Sequence, residues 1–167
     1  PYKMQREWLD RLPFDIYSVN VHTGAKRLIG RSYRTAPKWS VNGKWAVMYD
    51  PIAQVWNKFD GATGKVVNIS DAIGYPMFME SYDKPAPAPA YGIAGWTADG
   101  NNVSLYDAYD WWKIDLTGER QPECLTKGYG RKHGKSIRKM TSNIDKDVFQ
   151  KDEKVIVSLW DKDTMDE

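Results

Sequence analysis

A repeat 57 residues long constrains this chain more than any other feature of its sequence. The run from Trp39 to Asp50 lies over the run from Trp96 to Asp107 without a gap, matching Trp39 with Trp96, Gly43 with Gly100, Tyr49 with Tyr106 and Asp50 with Asp107. Asn42-Gly43 in one copy and Asp99-Gly100 in the other stand between two apolar-aromatic runs. Such pairs suit two-residue hairpin turns in which both central residues take positive φ. Each copy therefore reads as a hairpin.

A strand–turn–strand unit recurs as well. Asp15–Val21 with Thr23-Gly24, Gln54–Asp60 with Thr63-Gly64, and Asp110–Leu116 with Thr117-Gly118 are three versions, returning through Lys26–Ile29, Lys65–Ile69 and Gln121–Leu125. Joined, the two units give a four-stranded meander with strands near 36–40, 44–50, 54–60 and 65–70, and again near 91–97, 102–107, 110–116 and 121–126. That pattern is a propeller blade. The expected fold class is all-β, a partial β-propeller with about three blades' worth of strands, distributed as two, four, four and two. Residues 14–29 end one blade, 36–70 and 90–126 are whole blades, 71–89 is an inter-blade insertion, and 136–160 start the next blade. A closed ring takes roughly four to eight blades, so the segment is expected to be a fragment of a larger ring. The competing reading is a meander or β-sandwich whose turn residues agree by chance. Four identities at one offset exceed what turn chemistry alone requires. Trp39, Trp56, Trp96 and Trp112 are expected to pack between blades.

Composition narrows the function classes. The length, 167 residues, suits one domain with a real core. With 24 basic and 22 acidic residues the net charge is +2, which excludes a disordered polyelectrolyte and a strongly basic nucleic-acid binder. No apolar run approaches the roughly 18 residues that span a bilayer. Cys124 is the only cysteine, and His22 and His133 the only histidines, so no disulfide, metal centre or cofactor is expected. Pro1 stands where an initiator Met is expected and no signal segment precedes the strand pattern at Phe14, which reads as an internal fragment whose targeting signal lies elsewhere.

The stretches Ala90–Thr97, Leu105–Trp112 and Leu125–Lys132 carry a family resemblance. They resemble the TolB-like β-propeller domain of exported bacterial serine peptidases of the prolyl oligopeptidase family, the group that includes dipeptidyl aminopeptidases. The resemblance runs through most of residues 14–133. One departure is that the usual Ser-Pro-Asp-Gly-Lys turn appears as Ser40-Val41-Asn42-Gly43-Lys44 and as Thr97-Ala98-Asp99-Gly100-Asn101. The resemblance implies a periplasmic or exported parent and a propeller that gates and selects peptides for an α/β-hydrolase domain. That domain and the remaining blades would be the chain's partners. No catalytic residue is expected here, because the Gly-x-Ser-x-Gly nucleophile elbow is missing and Ser136, lacking flanking glycines, reads as the start of a strand. The rival function is a stand-alone TolB-like propeller that binds a protein or glycan. A weaker one is a propeller lyase or glycosidase with acids in its channel.

Three residues are candidates for substrate contact. Glu80 and Asp83 lie on the insertion, whose Pro85-Ala86-Pro87-Ala88-Pro89 favours a stiff polyproline path and a held-out arm. Either acid is suited to a peptide's free amino terminus, although the paired-glutamate motif that some relatives use is not found. The alternative is a loop that merely covers a blade edge. Arg131, in the basic cluster Arg131-Lys132-His133-Gly134-Lys135 with Arg138 and Lys139, is suited to a substrate carboxylate. The cluster otherwise reads as a solvated inter-blade loop. Asp107, Tyr109 and Asp110 read as an aspartate-capped turn, since one acidic pair lacks the oxygens that calcium requires. Cys124 reads as a small buried hydrophobe in a fourth strand, and Trp8 to Leu12 as a helical turn or two.

Overall fold

The structure, a computed structural model, describes residues 12–140 and 147–161. The expected turn at Trp8 lies outside the described residues, as do residues 141–146 of the segment expected to start the last blade. β1 (Phe14–Val19) pairs antiparallel with β2 (Lys26–Tyr33). β3 (Lys38–Trp39), β4 (Trp45–Asp50), β5 (Val55–Asp60) and β6 (Val66–Asn68) form an antiparallel four-stranded meander. β7 (Ile93–Thr97), β8 (Asn102–Tyr106), β9 (Trp111–Asp115) and β10 (Glu123–Cys124) repeat it. After a helical turn, α1 (Tyr129–Lys132), β11 (Lys135–Lys139) pairs with β13 (Val157–Asp161). The fold is thus all-β with several antiparallel sheets, and every strand of the two meanders lies inside its expected segment. Among the described residues no helix is long and apolar enough to cross a membrane.

One strand was not expected. Within the segment 136–160, β12 (Val148–Phe149) joins the open edge of β7 in parallel and makes the second sheet five-stranded, in the order β10-β9-β8-β7-β12. Two residues are too few to show a period-2 pattern, and a parallel partner distant in sequence leaves no local turn signal.

The sheets stack face to face in chain order. Ala46, Met48 and Phe59 pack against Ile16 and Tyr33 of the β1–β2 sheet. Val47, Tyr49 and Trp56 point the other way and pack against Trp96, Val103, Leu105 and Ile114 of the second meander. On its far side Ala94, Tyr106 and Trp111 meet Ile137 of β11. Successive strand residues point to opposite faces, so a sheet covered on both sides buries consecutive positions. Ala46 to Tyr49 of β4 and Val103 to Tyr106 of β8 are all buried. Ala94 and Trp96 have the same parity yet face different layers because a bulge at Gly95 shifts the register of β7. The β1–β2 sheet is only two strands wide, and Trp39 is 54% exposed, touching Phe59 edge-on at 6.4 Å. The expectation that Trp39 is core is therefore corrected, whereas Trp56 and Trp96 are buried and Trp112 is half-buried.

The turns also differ from expectation. Gly43 and Gly100 both have φ of +68°, but Asn42 and Asp99 keep negative φ, so each turn is type I followed by a left-handed glycine. The side chains of Asn42 and Asp99 accept from the N–H of Lys44 and Asn101, respectively, which holds the negative-φ form. In the wider turns Asn20, Asp60 and Asp115 each accept N–H bonds from residues two to five positions on.

Two measurements test this account. A Cβ at Gly43 meets nothing within 4 Å, whereas at Gly100 it meets the Asn42 backbone nitrogen at 2.8 Å. Gly43→Ala is expected to cost about 1–2 kcal/mol in urea unfolding through positive φ alone, and Gly100→Ala distinctly more. The Thr63 N–H bond holds the Asp60 carboxyl below its usual pKa, and the Thr97 hydroxyl does the same for Asp99. A carboxyl that titrates lower folded than unfolded stabilises above its unfolded pKa, about 4, and that stability is lost as pH falls through the lower folded value. Acid titration of the unfolding midpoint is expected to flatten in the double variant Asp60→Asn, Asp99→Asn.

Candidate functional site

A cleft of about 700 Å³ opens between the two meanders. Its floor is aromatic and aliphatic, from Val47, Tyr49, Trp56, Ile93 and Trp96, because these residues line the facing sides of β4, β5 and β7. Arg34, Lys38 and Lys84 supply positive charge against a single carboxylate, Asp147. The insertion is its third wall. It folds back on itself, with Phe78 bridged to Ala90 and Met79 N donating to Pro89 O at 2.8 Å. The Tyr49 hydroxyl donates to Ala88 O at 2.9 Å and pins the proline run across the cleft. Burial pushes the Tyr49 phenol well above its ordinary pKa, with the Asp50 charge adding to the shift, so it stays a donor at any physiological pH. The arm is therefore a wall anchored at Ala88, and the expectation of a held-out segment is corrected. The Trp56 indole N–H, in the floor, is buried with no hydrogen-bond partner among the described residues.

A second polar feature lies where the β8–β9 connection meets β11. Asp107 is fully buried. One of its oxygens accepts from Tyr109 N and Asp110 N, both at 2.6 Å, and the other from the Trp112 indole at 3.0 Å and Arg131 Nη2 at 3.3 Å. Asp110 accepts from the Thr126 hydroxyl, Gly130 N at 2.9 Å and Arg131 N at 3.0 Å. These bonds draw α1 under the connection. Arg138 donates to Asp107 O and Ala108 O and lies over the rings of Tyr106 and Tyr91, 4.7 and 5.4 Å from their centroids. Buried carboxylates are tolerated only when charged or polar donors surround them, which these residues do. The reading of this group as an aspartate-capped turn fits the geometry.

The candidate residues distribute unevenly. Arg131 Nη2 lies 3.7 Å from Glu80 Oε1, so the structure brings those two together, and the guanidinium sits between the rings of Tyr75 and Tyr109, 4.2 and 4.9 Å from their centroids. Neither Glu80 nor Arg131 lines the cleft. Asp83 is exposed and stands apart from the pair, between the cleft residues Tyr82 and Lys84. The basic cluster divides. Lys132 and His133 are exposed, while Arg131 and Arg138 turn inward and Lys139 pairs with Asp147 at 3.7 Å. The solvated-loop expectation is thus corrected for those three: the two guanidiniums serve the Asp107 turn, and the Lys139 ammonium lies between Asp147 and the Phe149 ring. Ser136 is a buried residue of β11. The Cys124 sulfur accepts from Gly128 N at 3.3 Å. Sequence reasoning missed Arg34, Lys38, Tyr49 and Trp56 as a site. The repeat offered one signal, because Lys38 stands where the second copy has Gly95. Compared with protein-family models, curated proteins and solved structures, the chain matches none of them.

Asp107→Asn turns an amide N–H₂ toward donors and leaves Arg131 without its buried counter-charge. It is expected to destabilise the fold by about 3–5 kcal/mol, read as a lower urea midpoint with little change in slope.

Proposed function

We propose that this chain is a non-catalytic part of a β-propeller in a serine peptidase of the prolyl oligopeptidase family, where it gates and selects peptides for a hydrolase domain carried elsewhere in the protein. The observation that carries the reading is the contact between repeat-equivalent positions. The Asn42 side-chain amide donates to Asp99 O at 2.9 Å across the 57-residue offset, and a second bond between the copies, from Lys58 Nζ to Leu116 O at 2.6 Å, joins positions that are not equivalent. Two copies of one meander lying side by side in chain order, with like turns touching, are what successive blades around a propeller axis require. The stretches that carry the family resemblance coincide with structural necessities: Gly95 at the bulge, Asp107 and Asp110 at the buried node, and Gly130, where a Cβ would meet two carbonyl oxygens at 2.6 Å.

The cleft supplies the selecting surface. Its aromatic floor suits apolar side chains, and its excess of cations suits a carboxylate. The partly exposed Glu80–Arg131 pair, outside the cleft lining, presents both signs of charge for peptide termini. Chemistry would come from a triad outside these residues.

The test is activity-based labelling of the whole protein that carries this chain. A fluorophosphonate probe is expected to modify one serine outside residues 1–167, and that modification is expected to abolish peptide cleavage. A protein that folds, takes no label and cleaves no peptide would replace this reading with the stand-alone binding propeller.

A further inference from the structure

We infer that the open edge of β3 is a strand-addition site for an extended acidic peptide, which binds parallel to β3 with a carboxylate side chain in the cationic cleft. The inference goes beyond the peptidase reading and does not rest on it, because an edge strand and a cleft bind a peptide whether or not a hydrolase shares the chain.

The second meander contains its own precedent. There the inner strand β7 has an occupied edge, with Trp96 N donating to Asp147 O at 2.6 Å and Ala98 N to Phe149 O at 3.1 Å. The 57-residue offset maps those two donors onto Trp39 and Val41. Ser40 N donates to Trp45 O, which makes Ser40 and Trp45 a hydrogen-bonded pair and sets Trp39 opposite Ala46 in the non-bonded position. By the alternation of an antiparallel ladder, the Trp39 N–H then points away from β4. β3 is the terminal strand of its sheet, and neither the Trp39 nor the Val41 N–H has a partner among the described residues. Both side chains are half-exposed, Trp39 at 54% and Val41 at 50%. Position 41 is the first central residue of a type I turn, where proline is favoured. Both copies instead carry a residue with an N–H there, and in the second copy that N–H bonds to the added strand.

The same alignment sets the chemistry of the occupant. In the second copy Gly95 leaves room for the Phe149 ring, which a Cβ would meet at 2.7 Å. In the first copy that position is Lys38, whose side chain lies on the Val47 face of β4 and lines the cleft with Arg34. A bulky apolar side chain is thereby replaced as the preferred occupant by one that pairs with an ammonium, and the cleft's charge excess has the same sign. The peptide's carbonyls accept from Trp39 and Val41, and its acidic side chain stands where Phe149 stands in the other sheet.

The probe is a six-residue peptide of valine and alanine, acetylated and amidated, with one central glutamate; its twin carries lysine instead. Added to the 167-residue chain, the glutamate peptide is expected to slow amide exchange at Trp39 and Val41 and to shift the emission of the exposed indole to shorter wavelength. Val41→Pro removes one edge donor at a position where proline fits the turn, so melting is expected to hold while binding weakens about tenfold. Lys38→Glu is expected to reverse the preference between the two peptides. Unchanged binding in Val41→Pro, equal binding of both peptides, or no protection at Trp39 would overturn the inference. So would slow exchange at both amides without peptide, because the edge would then be filled by the chain itself or a second copy.

Discussion

Every part of this structure depends on the two meanders being covered on both faces at once. A strand in such a sheet has no solvent side, so β4 and β8 bury successive residues that a one-sided sheet would divide between core and water. Stacked sheets sit roughly 10 Å apart, and both faces fill that spacing by mixing small and large side chains, Ala46 beside Met48 and Phe59 on one and Ala94 beside Tyr106 and Trp111 on another. The cover is complete over the middle of β4 and over Val103 to Tyr106 of β8, and partial over β5 and β9. It fails at β3, two residues long and flanked by a narrow sheet, and that failure exposes Trp39 and leaves the edge beside the cleft.

Stacking by apolar contact alone does not say how the chain passes from one layer to the next. At the handover from the second meander to β11, polar groups do that work. Asp107 and Asp110 are buried beside a turn, and each collects donors from segments far along the chain. Arg138 closes the arrangement from the next strand by donating to the carbonyls of the same turn. The angle at which the last sheet meets the second is thereby tied to hydrogen-bond geometry, which is directional, as well as to side-chain volume, which is not.

Strand positions were legible in the sequence because turn chemistry is local. Gly43, Gly64, Gly100 and Gly118 mark the reversals, and the runs between them carry the β-branched and aromatic residues of a pleated surface. The turn type was misjudged because Asn42 and Asp99 use their side chains to cap a negative-φ turn, a choice that the pair Asn-Gly or Asp-Gly does not reveal by itself. The candidate site was legible only in fragments. Glu80 and Arg131 are 51 positions apart and meet because buried aspartates pull α1 inward. The cleft joins residues from Arg34 to Asp147, and nothing local to any of them announces the others. β12 escaped notice for the same reason.

The contact between the two hairpin tips has a bearing on how this sequence can change over time. Asn42 fills the space beside Gly100, leaving room for no Cβ there, and its amide is shared between Asp99 O and Asn101 Oδ1. Descendants of one ancestral unit would ordinarily drift apart freely at such surface tips. Here a replacement at position 42 alters the environment of 99 to 101, so a substitution at one tip is felt at the other.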